Sequence, residues 1–263
     1  MLNGLEGKNA VVTGSTSGIG LAIAETLAQQ GSNVMLNGLG DAAKIEQTRQ
    51  NLARSTNRKI GYSAANMREP RQVSAMIDAA REAFGSVDIL INNAGIQHVA
   101  PVDEFPEDKW DAILAINLSA AFHAVKAALP TMKEKGWGRI VNIASAHGLI
   151  GSPFKSAYVA AKHGIVGFTK VTALETAEAG ITSNAICPGY VRTPLVEKQI
   201  DDQAKAHGIS REKVIRDIML KSQPTKRFVE AAEVASATAF LCSNQAASIT
   251  GIALPIEGGW TAQ

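Results

Sequence analysis

Tyr158 and Lys162 stand four residues apart in a stretch of helical period, so both side chains project from one helical face. A phenol beside an ammonium can take the proton of a secondary alcohol while hydride leaves the neighbouring carbon. An ordinary phenol, with a pKa of about 10, is a poor base near neutrality, and an adjacent positive charge favours its ionised form. Ser145 closes the apolar run before this helix, where its hydroxyl can donate to a substrate oxygen as charge changes there. A hydride needs an acceptor, and Gly14-Ser15-Thr16-Ser17-Gly18-Ile19-Gly20 supplies a place for one. It follows the first apolar run and opens directly into a helical pattern. Glycines there let the backbone approach a pyrophosphate, and the helix N-terminus turns free N–H groups toward its charge.

These groups need a scaffold, and the chain alternates short apolar runs with longer segments of helical period, the pattern of βαβ units on a parallel sheet. Strands are predicted at Asn9–Thr13, Asn33–Asn37, Lys59–Ala64, Val87–Asn92, Arg139–Ala144, Thr182–Cys187 and Ile252–Ile256. Helices are predicted around Ile19–Gln30, Asp41–Ser55, Pro70–Phe84, Glu107–Lys135, Ser156–Ala179 and Ala231–Ser243. Continuous apolar strands need helices over both faces, so the expected fold is α/β: one doubly wound Rossmann domain over residues 1–263 with a seven-stranded parallel sheet. Thr193–Pro224 breaks the rhythm, being helical in pattern but rich in both charge signs. It reads either as a lid over the carboxyl ends of the strands or as a solvated surface helix pair.

The glycine spacing is similar to that of the short-chain dehydrogenase/reductase family. Asn92-Asn93-Ala94-Gly95, Ser145 with Tyr158-x-x-x-Lys162, Asn117 in Ala115-Ile116-Asn117-Leu118-Ser119, and Pro188-Gly189 strengthen the resemblance. It implies a catalytic tetrad of Asn117, Ser145, Tyr158 and Lys162, with Asn117 holding a water that links Lys162 to solvent. It also implies a dinucleotide site made by Gly14, Thr16, Ser17, Gly18, Ile19, Gly20, Asn37, Asn66, Met67, Asn93, Ala94, Gly95, Tyr158, Lys162, Pro188, Gly189, Val191 and Thr193. The second strand ends Asn37-Gly38-Leu39-Gly40 with no Lys or Arg between Lys8 and Lys44, so a ribose 2′-phosphate would meet no cation. NAD is therefore the expected cofactor, with Asn37 and nearby backbone meeting the ribose, and Asn66 accepting from the adenine amino group.

For the substrate, His147 and Lys155 bracket the reaction centre, and a small carboxylate would explain both. Alone, Lys155 reads as a solvated surface charge and His147 as a neutral loop histidine. The runs Gly95–Pro101, Ala144–Leu149 and Pro194–Ile200 resemble the bacterial branch of the family that interconverts (R)-3-hydroxybutyrate and acetoacetate. That resemblance implies Gln97, His147, Lys155 and Gln199 on the carboxylate, Ser145 and Tyr158 on the hydroxyl, and Trp260 on the methyl group. Tyr190 stands where those members commonly carry Trp, which leaves slightly longer 3-hydroxy acids open. The resemblance further implies a homotetramer built on the long helices and the last strand. The rivals are a 3-oxoacyl reductase of carrier-linked substrates and a dinucleotide-binding regulator without turnover.

Composition narrows the classes. With 26 Lys and Arg against 24 Asp and Glu, interspersed, no basic stripe for nucleic acid is visible. Two distant cysteines without metal-ligand spacing argue for buried thiols rather than a disulfide framework or a metal. No signal peptide is found, and no charge-free run supplies about 20 apolar residues, so the expectation is a cytoplasmic protein with no membrane partner.

Overall fold

The computed structural model describes residues 2–193, 196–197, 200–201, 204–205 and 208–262. Its strands are β1 (Asn9–Val12), β2 (Asn33–Asn37), β3 (Ile60–Ser63), β4 (Ile89–Asn92), β5 (Gly138–Ile143), β6 (Ile181–Pro188) and β7 (Ala253–Ile256). They form one parallel seven-stranded sheet in the order β3-β2-β1-β4-β5-β6-β7. The order reverses between β1 and β4, and the crevice beyond the carboxyl ends of those strands is where open α/β sheets bind ligands.

The sheet is covered on both sides, which accounts for its unbroken apolar strands. Ala10 and Val12 of β1 pack into one core with Ile23 and Leu27 of α1 (Gly18–Gln29), Leu52 of α2 (Ala42–Thr56) and Val234 of the last core helix. Val11, between them, points the other way, to Val73 and Ile77 of α3 (Pro70–Phe84). Behind that face lie α4 (Glu107–Leu114), α5 (Ala120–Lys135) and α6 (Ser156–Glu175), and the last core helix is α7 (Ala231–Cys242).

The single helix expected over Glu107–Lys135 is divided by a π-helical turn at Ala115–Ser119. Its cause is visible: the Asn117 amide is clasped by the loop after β4, Oδ1 accepting from Ile96 N–H at 2.9 Å and Nδ2 donating to the Ile96 carbonyl at 2.9 Å. This helical stretch, whose longest charge-free run lies between Asp111 and Lys126, is long and apolar enough by composition to cross a membrane. Its Ala120, Ala124, Ala128 and Met132 are nevertheless packed in the core under the sheet. The helix expected over Ser156–Ala179 stops at Glu175, and Gly180 at φ 68° turns the chain into β6.

In the charged segment, Ile200, Val214 and Met219 form a satellite core with Val196, Ile215, Phe228 and Tyr190. Arg192 and Arg211 both hold the Glu197 carboxylate, at 2.7 and 2.6 Å. The segment is thus more than a solvated helix pair, since its apolar side packs on the exit of β6.

Candidate active site

The glycine loop is built by close approach. At Gly14 (φ +61°) a Cβ would lie 2.8 Å from the Ala94 Cα, and at Gly20 it would lie 2.3 Å from the Gly14 carbonyl oxygen. Neither position has room for a side chain, so the loop seats directly on the end of β4. Asn93 Nδ2 donates to the carbonyls of Thr13 and Gly14, both at 2.9 Å, while Thr13 Oγ1 accepts from the N–H groups of Asn93 and Ala94 at 2.9 and 3.0 Å. The result is a rigid backbone cradle ahead of the α1 N-terminus.

Asn37 lines the cavity as expected, and its side-chain amide is also tied into the fold. Its Oδ1 accepts from Gly14 N–H at 3.1 Å, its Nδ2 donates to the carbonyls of Ser63 and Ala65 at 3.1 and 3.0 Å, and the residue is fully buried. It therefore pins β2 to the glycine loop and β3, and its neighbours, half-buried Gly38 and exposed Leu39, line the cavity beside it. Tyr62 Oη donates to the Gly38 carbonyl at 2.8 Å and fixes that turn. Asn66 Oδ1 already accepts from Arg68 N–H at 3.0 Å, which leaves it one lone pair for an incoming donor.

Beyond the cradle a cavity of about 990 Å³ runs along the carboxyl ends of the strands. It is lined by every residue expected at the dinucleotide and substrate sites except Gly18 and Gln199. Gly18 begins α1 beneath Thr193, whose Cγ2 would lie 3.8 Å from a Cβ there. Gln199 lies outside the described residues. Asn117 lines a separate small void behind the cavity, with Thr13, Asn92 and Ile143. The cavity walls also include Ile96, His98 and Val99, which sequence reasoning missed although they flank Gln97. Among the described residues no cluster of His, Cys, Asp or Glu is placed to hold a metal.

At the centre, Lys162 Nζ donates to the Ile143 carbonyl at 2.7 Å and lies 5.5 Å from the Tyr158 ring centroid. Burial lowers the Lys162 ammonium to about 8. Burial also raises the Tyr158 phenol, with Ser145 opposing the rise by hydrogen bonding and Tyr190 adding to it. This differs from the expectation that Lys162 would draw the phenol down: desolvation of the phenolate outweighs an ammonium that is itself buried and bonded elsewhere. Ser145 Oγ accepts from His147 N–H at 3.2 Å and lies 3.3 Å from His147 Nδ1.

The far end carries His147, Lys155, Tyr190 and Trp260. Tyr190 and Trp260 stack with centroids 5.7 Å apart and planes 6° apart, and the His147 ring meets Trp260 edge-on at 5.1 Å. Lys155 Nζ lies 5.7 Å from the Tyr190 centroid. Burial, and then the Lys155 charge, lower His147 to about 4, so near neutrality it is an uncharged donor rather than a second cation. Its Nε2 is buried and has no hydrogen-bond partner among the described residues. A buried polar atom left unpaired costs about 1–3 kcal/mol, which a ligand atom placed against it would recover. Lys155 keeps the charge, weakened by burial.

This layout of glycine cradle, reversed strand order and Ser145-Tyr158-Lys162 triad defines an oxidoreductase class, and comparison with known families agrees. The short chain dehydrogenase family matches residues 8–204, and the chain belongs to that family. It is 55% identical over 256 residues to a D-beta-hydroxybutyrate dehydrogenase of Rhizobium meliloti (strain 1021), covering 97% of this chain and 99% of that one. It is 53% identical over 263 residues to a D-beta-hydroxybutyrate dehydrogenase of Cupriavidus necator, covering 98% of this chain and all of the other. Among solved structures, L-sorbose reductase from Gluconobacter frateurii, complexed with NADPH and L-sorbose, superposes with a TM-score of 0.95 at 30% identity, each chain covered completely.

Proposed function

We propose that this chain oxidises (R)-3-hydroxybutyrate to acetoacetate with NAD and catalyses the reverse reduction. The observation that carries the reading is the pairing, at one end of the cavity, of the Lys155 charge with the orphaned His147 Nε2, beside Ser145 and Tyr158. A short substrate with a carboxylate at one end and a secondary alcohol near the other meets all four. The two relatives named for this reaction support the same substrate and its D configuration.

The cradle fits a dinucleotide: Gly14 and Gly20, which have no room for a Cβ, let the loop close onto Asn93 and Ala94, and its residues Gly14, Thr16, Ser17, Ile19 and Gly20 line the cavity at the N-terminus of α1, where a pyrophosphate would be held. When bound there, a nicotinamide dinucleotide would supply the hydride acceptor for oxidation of the carbinol carbon and the hydride donor for the reverse. Tyr158 takes the hydroxyl proton in oxidation and gives it back in reduction. Ser145 donates to the same oxygen, and Lys162 holds positive charge beside the phenol ring, where it would also hold the ribose of a bound dinucleotide. Lys155 and His147 fix the carboxylate, with Gln97 and Gln199 completing the set, while Trp260 and Tyr190 wall the methyl group. NAD rather than NADP is favoured because Lys155 and Lys162, at the catalytic end, supply all the Lys and Arg among the described residues of the wall. The adenosine end, at Gly38, Leu39 and Asn66, offers a 2′-phosphate no charge.

We further infer a cytoplasmic homotetramer. Phe122 of α5 and Val171 and Leu174 of α6 are exposed apolar side chains on the long helices, and both cysteines are free and buried, as a reducing compartment favours. The test is formation of reduced nicotinamide, followed by its absorbance, with each enantiomer of 3-hydroxybutyrate and each dinucleotide. Turnover with the (R) acid and NAD is expected to exceed the other three combinations. Preference for NADP, or indifference to the carboxylate, would overturn the reading.

A further inference from the structure

The aromatic wall of the pocket is carried by two segments far apart in sequence, and neither Tyr190 nor Trp260 holds itself in place. Tyr190 follows the end of β6, and its N–H donates to Gln223 Oε1 at 2.7 Å. Gln223 Nε2 donates in turn to the Arg227 carbonyl at 2.7 Å, closing a turn in which Lys226 has φ +51°, a conformation that L-residues rarely adopt. Gln223 is fully buried. Trp260 rides on a 3₁₀ turn closed by Glu257, whose carboxylate accepts from Thr261 N–H at 3.2 Å and from Thr261 Oγ1 at 3.1 Å. Glu257 is itself buried.

The two holders meet behind the wall. A Cβ at Gly189 would lie 2.5 Å from Gln223 Oε1 and 3.0 Å from the Glu257 Cα, and one at Gly258 would lie 2.2 Å from Thr225 Oγ1. Gly189 N–H donates to the Ile256 carbonyl at 2.9 Å, and Thr225 N–H to that of Gly258 at 3.2 Å. Three stretches of backbone therefore converge on one side-chain amide that, unlike Tyr190, does not line the cavity. Tyr190 also joins the satellite core of the charged segment, so the same knot ties that segment to the pocket.

We infer that Gln223, seconded by Glu257, is a positioning residue that sets the spacing of the Tyr190–Trp260 stack and hence the pocket's fit to the alkyl end of its substrate. The inference rests on the 3-hydroxybutyrate reading for the substrate's identity but not for the placement of the wall. Two side chains that never touch the substrate would then govern its chain length, because a displacement of about 1 Å at a site is worth up to a hundredfold in rate.

The test uses the whole enzyme with Gln223→Met, which keeps length but removes both hydrogen bonds, and the milder Glu257→Gln. In a Trp110→Phe, Trp137→Phe background, Trp260 is the sole tryptophan, and its quenching by acrylamide reports the stack directly. Quenching is expected to rise in Gln223→Met and less in Glu257→Gln. The KM for 3-hydroxybutyrate is expected to rise about tenfold, with the KM for NAD within about twofold, and the preference for 3-hydroxybutyrate over 3-hydroxypentanoate to shrink. Unchanged quenching and unchanged substrate preference in both variants would overturn the inference, as would a parallel rise in both KM values, the signature of a generally loosened fold. If Gln223→Met does not fold, Glu257→Gln decides by the same readings. A parent enzyme inactive on 3-hydroxybutyrate would overturn the substrate reading, and the quenching comparison would then decide the role of Gln223 alone.

Discussion

At the glycine-loop end of the cavity, Asn37 and Asn93 have their side-chain amides engaged by backbone groups on neighbouring strands. At the other end His147 keeps a buried ring nitrogen with no partner among the described residues, beside an ammonium weakened by burial. The first region satisfies its polar atoms internally and offers a ligand backbone and shape. The second leaves polar atoms unsatisfied and displaced from their ordinary pKa, which is how groups that act on a ligand are held ready. A change at the first end should therefore act on cofactor choice, whereas changes at the second should act on chemistry, on acid stability and on recognition of the anion.

The largest effect is expected at the centre of the second region. Tyr158→Phe keeps the ring and removes the proton acceptor, so turnover should fall by about 10²–10⁴, the usual worth of a general acid–base group. Dinucleotide affinity, measured by fluorescence titration, should change little. Substantial residual turnover would remove Tyr158 from its role.

His147 gives the next effect, on stability rather than rate. Its folded pKa of about 4 lies below the ordinary value of 6.5, so the unfolded chain binds more protons between those values. Stability is fully present above pH 6.5 and falls as pH drops toward about 4, by up to something on the order of 3 kcal/mol at about 1.4 kcal/mol per pKa unit. His147→Gln should flatten that limb of the urea midpoint against pH. An identical acid limb in the variant would show that the histidine is not held neutral.

The smallest effect concerns the first region. Leu39 is exposed at the glycine-loop end of the cavity, and Leu39→Arg brings a guanidinium to a wall that has none among the described residues. The ratio of kcat/KM for NADP over NAD should rise about tenfold, the worth of one charge-assisted hydrogen bond, with the (R)-3-hydroxybutyrate KM unchanged. A change in the substrate KM would break the separation between the two ends.

The contrast also explains what could be read before the fold was known. The sheet, the cradle and the Ser145-Tyr158-Lys162 group were legible because they depend on local signals: short continuous apolar runs for the strands, glycines at a strand–helix junction, i and i+4 on a helix. The structural bonds of Asn37 were hidden because its position at the end of β2 is local, while those bonds come from Gly14, Ser63 and Ala65 on other elements. The π-helical turn was hidden for the same reason, since its helical periodicity continues on both sides and only the clasp on Ile96 breaks it. His147 was recognised by its position, but its neutrality depends on burial that no spacing discloses. Gln223 and Glu257 gave no signal at all, lying in a charged stretch and in a glycine-flanked turn.

The central claim is that the Lys155 end of the cavity holds a carboxylate. The most direct measurement compares kcat/KM for (R)-3-hydroxybutyrate and for its methyl ester in the parent and in Lys155→Ala. The ester should already be poor with the parent and lose little more in the variant, whereas the acid should lose about 10- to 150-fold, equivalent to about 1.5–3 kcal/mol of charged hydrogen bonding. Unchanged kinetics for the acid, or an equal loss for acid and ester, would contradict the claim and return Lys155 to the role of a surface charge.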